Sequence, residues 1–248
     1  PLPAQVRVPG AVVVVRTNAF SFAWDTIVSV ASEEASLMPD GRGRHRLRPG
    51  LEFWITGHPA VLRNPGDWVW SGDSLFMKSA AMPKVAVTGR KYGVRIVGGG
   101  HWVVQDLSIR RYGLHGVLLK GSDVSLRRLL VEDVGQSAIY VAAGAGVDVR
   151  DCVLRRLGAN GIESYASETV VTGGEITDVQ RDPFWLGGVR TSAVGTGVTI
   201  RGANSQVRGV AIRNTGYDAV KSTGPGAVVA ANVIDGFCHT MKDGGGVY

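Results

Sequence analysis

The segment Leu126-Arg-Arg-Leu-Leu-Val131 decides the fold, because versions of it recur along the chain. Each version begins with valine or leucine and ends with valine, leucine or isoleucine. The other versions are Val104-Gln-Asp-Leu-Ser-Ile109, Val149-Arg-Asp-Cys-Val-Leu154, Val171-Thr-Gly-Gly-Glu-Ile176, Val207-Arg-Gly-Val-Ala-Ile212 and Val229-Ala-Ala-Asn-Val-Ile234. Successive versions begin 22, 23, 22, 36 and 22 residues apart. A fixed period in this range indicates one supersecondary unit stacked on copies of itself.

The content of each repeat predicts short β-strands. Aliphatic runs are broken by Gly, Asn, Asp and Ser, and no helical stripe is long enough to fill the unit. The Leu-x-x-Leu-x-Leu-x-x-Asn signature of leucine-rich repeats, which share this period, is absent. The sequence therefore predicts an all-β fold, a parallel β-helix with one coil per repeat of about 22 residues.

The composition is uniformly β-rich and glycine-rich along the 248 residues, which favours a single β-helix domain over 1–248. Within it, residues 1–92 form an irregular β-rich lead-in or cap, and residues 93–248 form regular coils. In the lead-in we predict a strand at Val61-Leu-Arg63 and a hairpin whose turn is Ser71-Gly-Asp-Ser74. The chain begins at Pro1 without Met and has no polar cap after Tyr248, so we expect a processed or longer native protein.

The net charge of +6 and the pI near 9.6 favour an acidic partner, such as an anionic polysaccharide, or serve solubility alone. No nucleic-acid-binding module is visible, and no apolar run is long enough to cross a membrane. Cys152 and Cys238 lie in different coils, separated by roughly 14 Å at about 4.8 Å per coil. A disulfide needs Cα atoms within about 7 Å, so we predict two free thiols.

A second recurring feature predicts which residues face outward. Each coil contains Gly or Ala followed by an aliphatic residue, as in Gly116-Val117 and Gly161-Ile162. If the aliphatic residue points inward, the next residue points outward, and equivalent residues of stacked coils form a ladder. The predicted ladder is Leu118, Tyr140, Glu163, Arg190, Lys221 and Tyr248, with Lys120 and Tyr165 two residues further along their strands. The inward counterparts are Leu119, Val141, Ser164, Thr191 and Ser222.

Two interpretations of the ladder remain open. It is either a solvated sheet face, on which Glu163 and Arg190 form a surface ion pair, or a ligand-binding face rich in tyrosine and charge. The 36-residue spacing adds about 14 residues, which we place within 182–188 and 191–197. Trp185 would then form a loop wall over a groove, unless the insertion has no function.

The C-terminal stretch Cys238–Tyr248 brings His239, Lys242 and Asp243 close to the end of the ladder. Its glycines would let the backbone approach a ligand, or they form a turn between coils. No histidines have zinc-ligand spacing. Asp218 beside Lys221 would contribute to a calcium site or cap a turn.

These features resemble bacterial right-handed parallel β-helix proteins of the pectate-lyase-like superfold, many of them carbohydrate-active. The repeats over Gly93–Tyr248 cover about 60% of the chain. The segment Asn64–Met77, with its Trp strand, is similar to the segment that precedes the coils in such proteins, and Lys242-Asp-Gly-Gly-Gly-Val-Tyr248 is similar to their Asp-Gly-Gly-x-x-Tyr signature. The Asn-Thr-Asp and Asp-Asp motifs of polygalacturonases are missing, His115-Gly116 does not replace them, and the pectate lyase Trp-x-Asp-His motif has no close match.

The resemblance implies an enzyme on acidic polysaccharide, and a lyase acting by β-elimination is the first choice. Lys221 would be the base, Arg190 the carboxylate clamp or acid, and Glu163 a metal or sugar contact, with calcium as the one candidate cofactor. The substrate-binding set is Tyr140, Tyr165, Tyr248, Trp185, His239, Lys242 and Lys120. The alternatives are a glycoside hydrolase that pairs Glu163 with Asp243 or Asp218 and a non-catalytic glycan-binding or structural β-helix. The resemblance favours a secreted, periplasmic or cell-surface protein.

Overall fold

The structure is a computed structural model that describes residues 8–18, 21–31, 34–39, 50–82, 85, 87–180 and 194–248. The chain divides into two compact units, residues 1–86 and 87–248. The single domain over 1–248 stays a prediction.

The first unit contains a four-stranded antiparallel sheet and a hairpin. The strands of the sheet are β1 (Val12–Asn18), β2 (Ser21–Ala31), β3 (Glu34–Pro39) and β4 (Phe53–Thr56). Their order in the sheet is β3-β2-β1-β4. Its buried residues include Val13, Val15 and Ile27. The predicted hairpin is confirmed: β5 (Trp68–Ser71) pairs with β6 (Ser74–Met77).

The predicted strand at Val61–Arg63 is wrong, because Pro59–Val61 forms a short 3-10 helix. Pro59 stands in the first turn of this helix, where its fixed φ and missing N–H are tolerated. The His58 side chain caps the helix by accepting from the Ala60 amide at 3.2 Å.

The second unit is the predicted parallel solenoid, in which three six-stranded sheets stack coil on coil. The first sheet contains β7 (Tyr92–Val97), β10 (His115–Lys120), β13 (Ile139–Ala143), β16 (Ile162–Ser164), β19 (Val198–Ile200) and β22 (Val220–Ser222). The second contains β8 (Trp102–Gln105), β11 (Val124–Arg127), β14 (Val147–Arg150), β17 (Val170–Thr172), β20 (Gln206–Arg208) and β23 (Val228–Ala230). The third contains β9 (Ser108–Arg110), β12 (Leu130–Val134), β15 (Val153–Leu157), β18 (Glu175–Val179), β21 (Ala211–Thr215) and β24 (Val233–Asp235).

The repeat that predicts the fold also sets its register. In the second sheet Leu126 pairs with Val104 on one side and Val149 on the other, and in the third sheet Val131 pairs with Ile109 and Leu154. All six versions of the repeat align in this way. Strand alternation then buries the first and last residues of each repeat in one continuous core, except near the two ends of the stack.

Each coil turns between the second and third sheets through a residue in the left-handed region, with φ between 48° and 65°. These residues are Asp106, Arg128, Asp151, Gly173, Gly209 and Ala231. Aspartate and glycine are among the residue types that tolerate this conformation best. An Asp or Gly therefore makes the corner in four of the six coils, and Arg128 and Ala231 take the same conformation in the other two.

Charged side chains on the third sheet converge on Glu132, whose side chain is 4% exposed. Its Oε1 lies 2.6 Å from Nε of Arg110. Its Oε2 lies 2.7 Å from Nε of Arg155 and 2.7 Å from Nη2 of Arg156. These side chains belong to three neighbouring coils, so the cluster joins the coils on this face.

Both thiols are free, as predicted: Cys152 is buried and Cys238 is half-buried. Among the described residues, no helix has the length and apolar character that a membrane span requires.

Candidate functional site

The outer face of the first sheet carries one residue per coil in a ladder. The ladder runs Arg95, Leu118, Tyr140, Glu163, Thr199 and Lys221, each paired with the next across neighbouring strands. Val247 bridges Val220, which places Tyr248 beside Lys221. The predicted positions of Tyr140, Glu163, Lys221 and Tyr248 are therefore confirmed.

The predicted ladder position of Arg190 is wrong, because Thr199 pairs with both Glu163 and Lys221. Its inward neighbour is Ile200, which replaces the predicted Thr191. Arg190, Thr191 and Trp185 belong to residues 181–193, outside the described residues. The Gly197 amide donates to the Asp218 carbonyl and its carbonyl accepts from the Ile162 amide, so Gly197 belongs to the stack and the predicted placement of extra residues over 191–197 is wrong there.

A second column lines the corner where the chain enters the first sheet. It contains the residue before each Gly/Ala-aliphatic pair: Tyr92, His115, Ser137, Asn160, Thr196 and Asp218. We call it the corner column. Its members from Ser137 to Asp218 are buried although they are polar, with exposures of 2%, 5%, 1% and 0%. Burying polar groups is unfavourable unless they find hydrogen-bond partners. A column of buried polar side chains is therefore a place where a ligand-binding site is expected.

Glu163 is held by groups from its own coil and from the next. The Asn160 Nδ2 group donates to Oε2 of Glu163 at 3.0 Å, and the Tyr165 hydroxyl donates to Oε1 at 3.1 Å. The Arg201 guanidinium lies 3.7 Å from Oε1 and 5.2 Å from the Tyr165 ring centroid. The geometry therefore fixes a carboxylate, a phenol and a guanidinium in one cluster.

Aromatic rings continue this cluster towards the first coil. His115 stacks on Tyr140, with ring centroids 4.6 Å apart, and on Tyr92 at 6.0 Å. Tyr140 meets Tyr165 edge to face at 6.0 Å. Burial lowers the pKa of His115, outweighing the opposing effects of the Ser137 carbonyl and the Glu163 charge. Burial, together with the Glu163 charge, raises the pKa of Tyr140 and Tyr165, which therefore stay protonated and able to donate at neutral pH.

Lys221 is the centre of a second cluster, two coils from Glu163. Its Nζ lies 4.4 Å from the Tyr248 ring centroid and 5.6 Å from that of Tyr217. The Asp218 Oδ2 atom lies 3.9 Å away, while Oδ1 accepts from the Gly245 amide at 3.0 Å. Burial raises the pKa of Asp218. Burial and the charges of Asp218 and Asp243 raise the pKa of Tyr217 to about 12, and Asp243 is hydrogen-bonded to its side chain.

Buried polar atoms without hydrogen-bond partners concentrate at this corner. They are Nδ1 of His115, Oγ1 of Thr196, Oδ2 of Asp218 and both side-chain polar atoms of Gln180. Gln180 lies against Gly195 and Gly216, next to the base of the insertion. Unpartnered buried groups are rare in folded proteins and mark places where water or a ligand supplies the missing bonds.

The remaining predicted site residues are exposed. Lys120 ends β10, and His239 and Lys242 follow β24 in the C-terminal stretch. Asp243 joins the Lys221 cluster through Tyr217. Arg201 and Asn160 were missed by the sequence analysis, although both contact Glu163.

The described residues of the Lys221 cluster do not fit a calcium site. Calcium takes about six to eight oxygen ligands, and the Lys221 cluster offers the carboxylates of Asp218 and Asp243 beside an ammonium group. Within the described ranges, no group of three or more His, Cys, Asp or Glu side chains is placed to hold a metal ion.

Comparison of the chain with models of protein families, with curated proteins and with solved structures finds no match.

Proposed function

We propose that the outer face of the first sheet binds an acidic, uronate-containing polysaccharide and that the protein cleaves it by β-elimination near Lys221. The observation that carries this proposal is the setting of Lys221. A half-buried amine lies over a tyrosine ring and beside a buried carboxylate that has an unpartnered oxygen. Chemistry that moves a proton needs such a pair.

Binding would use the ring stack and the cations. Because His115 stacks on both Tyr92 and Tyr140, these rings leave their edges and the tyrosine hydroxyl groups, rather than their faces, for a sugar, and the hydroxyl groups hydrogen-bond to sugar hydroxyls. The row Tyr92, His115, Tyr140 and Tyr165 follows the stack of coils, so a chain of sugars can lie along it. Arg201 is a cation beside this row and suits a uronate carboxylate, the role that the sequence assigned to Arg190.

In the elimination step the C5 proton of the uronate moves to the Lys221 amine. The electron pair of that C–H bond forms the C4–C5 double bond, the C4–O4 bond breaks, and O4 takes a proton from water. The step requires Lys221 as the neutral amine, and the ammonium group that it becomes returns its proton to the hydroxide that water leaves when O4 is protonated.

The hydrolase alternative is less well supported, because Asp218 is fully buried and Asp243 belongs to the Lys221 cluster, two coils from Glu163. A non-catalytic glycan-binding face has one observation in its favour. The Glu163 carboxylate already receives the Asn160 and Tyr165 donors and faces Arg201, as expected of a preorganised binding surface.

The test is the ultraviolet absorbance of the unsaturated uronate product. The full chain is incubated with alginate, polygalacturonate and glycosaminoglycans, with and without calcium. We expect absorbance to rise on one of these polymers, to be lost in Lys221→Ala and to persist in Lys78→Ala, an exposed lysine of the first unit. Reducing ends released without the absorbance would support the hydrolase, and binding without either product would support the glycan-binding face.

A further inference from the structure

Asn160 uses both ends of its side-chain amide. The Oδ1 atom accepts from the backbone amides of Gly195 at 3.1 Å and Thr196 at 3.0 Å. The Nδ2 atom donates to Glu163 at 3.0 Å. Gly195 and Thr196 are among the first described residues after the insertion, so one buried side chain connects the end of the insertion to Glu163.

The same arrangement recurs two coils along the corner column. Asp218 accepts a hydrogen bond from the Gly245 amide of the following coil and faces Lys221, three residues later in its own coil. In both coils the corner residue therefore bonds the backbone of the next coil and contacts the outward residue of its own coil. The two pairs differ in charge. The neutral Asn160 amide donates to the Glu163 carboxylate, whereas the Asp218 carboxylate faces the Lys221 ammonium group.

We propose that Asn160 is a positioning residue that orients Glu163 on the ligand-binding face and ties it to the end of the insertion. The proposal rests on the proposed function in that Glu163 is taken to contact the ligand. Asparagine suits this position because it offers an acceptor and a donor on one rigid plane. Aspartate would keep the acceptor for Gly195 and Thr196 and put a second carboxylate 3.0 Å from Glu163.

The test compares Asn160→Asp in the wild-type and Glu163→Gln backgrounds. Asn232→Asp is the matched control, because Asn232 also bridges coils, accepting from Val210 at 2.9 Å and donating to Val207 at 3.0 Å, with backbone partners at both ends. Affinity for polygalacturonate and alginate oligosaccharides is measured from pH 5 to pH 9. The titratable and charged groups that face Glu163 are His115, Tyr140, Tyr165 and Arg201.

We expect Asn160→Asp to weaken binding about tenfold in the wild-type background and less than about twofold when Glu163 is already Gln. In the wild-type background the loss should also depend on pH, because two adjacent carboxyl groups hold a shared proton. Asn232→Asp should lower Tm and leave the affinity and its pH profile unchanged. Equal losses in both backgrounds, or a lower Tm with wild-type affinity, would show a merely structural role and overturn the proposal.

A separate readout tests the link between Asn160 and Glu163 without any ligand. The Glu163 carboxyl carbon is followed by NMR during a pH titration and is identified by its absence in Glu163→Gln. We expect Asn160→Asp to split its titration into two steps and Asn232→Asp to leave it unchanged. If wild-type protein binds no acidic oligosaccharide, the proposed function fails, while an unsplit titration would overturn the positioning role itself.

Discussion

The Asp218 carboxylate lies 3.9 Å from the Lys221 ammonium group, and its Oδ2 atom has no hydrogen-bond partner. An ion pair at this distance does not compensate fully for taking the carboxylate out of water. For that reason burial dominates, and the pKa of Asp218 is raised in the folded protein.

The first prediction concerns the pH dependence of stability in Asp218→Asn. A folded-state pKa above the unfolded value means that the folded protein holds the proton more tightly, so this residue stabilises the fold at low pH and that contribution is lost as pH rises. We expect Tm of the wild type to fall more steeply than Tm of Asp218→Asn as pH rises above the unfolded aspartate pKa of about 3.9. Thermal unfolding at several pH values measures this difference, and parallel curves would contradict it.

The second prediction concerns Arg201, which contacts both Glu163 and the Tyr165 ring. Arg201→Ala should weaken binding of an acidic oligosaccharide by about 1–2 kcal/mol, or roughly five- to thirtyfold, because a charge-assisted contact is lost. The affinity of the variant should also depend less on salt. Isothermal titration calorimetry in low and moderate salt measures both quantities.

The control for Arg201 is Arg208→Ala on the second sheet, where the guanidinium donates to Gln206 at 2.9 Å. The Arg208→Ala substitution removes the same charge from the protein without changing a residue near the ladder. If both variants lose affinity equally, general electrostatic attraction explains binding, and the specific role of Arg201 is wrong.

The third prediction concerns Glu132 and acid. Hydrogen bonding from Arg155 is the main cause that lowers the pKa of Glu132, with Arg156 and Arg110 adding to it. The carboxylate therefore stabilises the fold above its unfolded pKa, near 4.3, and that contribution is lost as pH falls through the lower folded-state pKa. Glu132→Gln should lower the free energy of unfolding at pH 7 by about 1–3 kcal/mol. This figure already allows for solvent screening, because the three arginines are exposed.

Urea unfolding of wild type and Glu132→Gln at pH 7 and pH 3 tests this. The difference should shrink at pH 3. Asp106→Asn is the control, since its exposed ion pair with Arg128 should contribute little at either pH. A difference that persists undiminished in acid would show that packing, and not charge, explains the effect of Glu132.

The period of the repeat was sufficient to predict the solenoid and the pairing of its coils. In a parallel stack, equivalent residues of neighbouring coils pair directly, as Leu126 and Val149 do. The spacing of the aliphatic residues along the chain therefore sets the register of the strands. Local chemistry was less informative outside the repeats. At Val61 the apolar residues indicated a strand, but Pro59 two residues earlier set the backbone of a 3-10 helix.

The error at Arg190 has a physical explanation. Gly188-Val189-Arg190 and Gly197-Val198-Thr199 both match the small-aliphatic-outward pattern, and the pattern alone cannot separate them. The residue before the pair separates them: Thr196 is polar and takes the buried corner position, as Asn160 and Asp218 do in neighbouring coils, whereas Gly187 precedes the other candidate. A four-residue pattern that includes the corner would have found the register and would have drawn attention to Asn160.

Arg201 was missed because of the same register error. It lies two residues after Thr199, the outward position that Tyr165 takes two residues after Glu163, and it reaches Glu163 across coils. With Thr199 in the ladder, alternation would have placed Arg201 beside Tyr165.

The last prediction tests the packing that holds the ladder in register. A methyl group added at Gly161 would meet the Gly197 carbonyl of the next coil and lie 2.7 Å from Cγ2 of Ile176. Backbone and a buried β-branched side chain have little freedom to yield, so Gly161→Ala should lower the free energy of unfolding by about 1–3 kcal/mol. Because the same shift would displace Glu163 two residues later, affinity for an acidic oligosaccharide should fall with it.

Gly89→Ala is the control, since a methyl group there meets nothing within 4 Å. If urea unfolding shows Gly161→Ala as stable as Gly89→Ala, the close approach of the two coils at this corner is wrong.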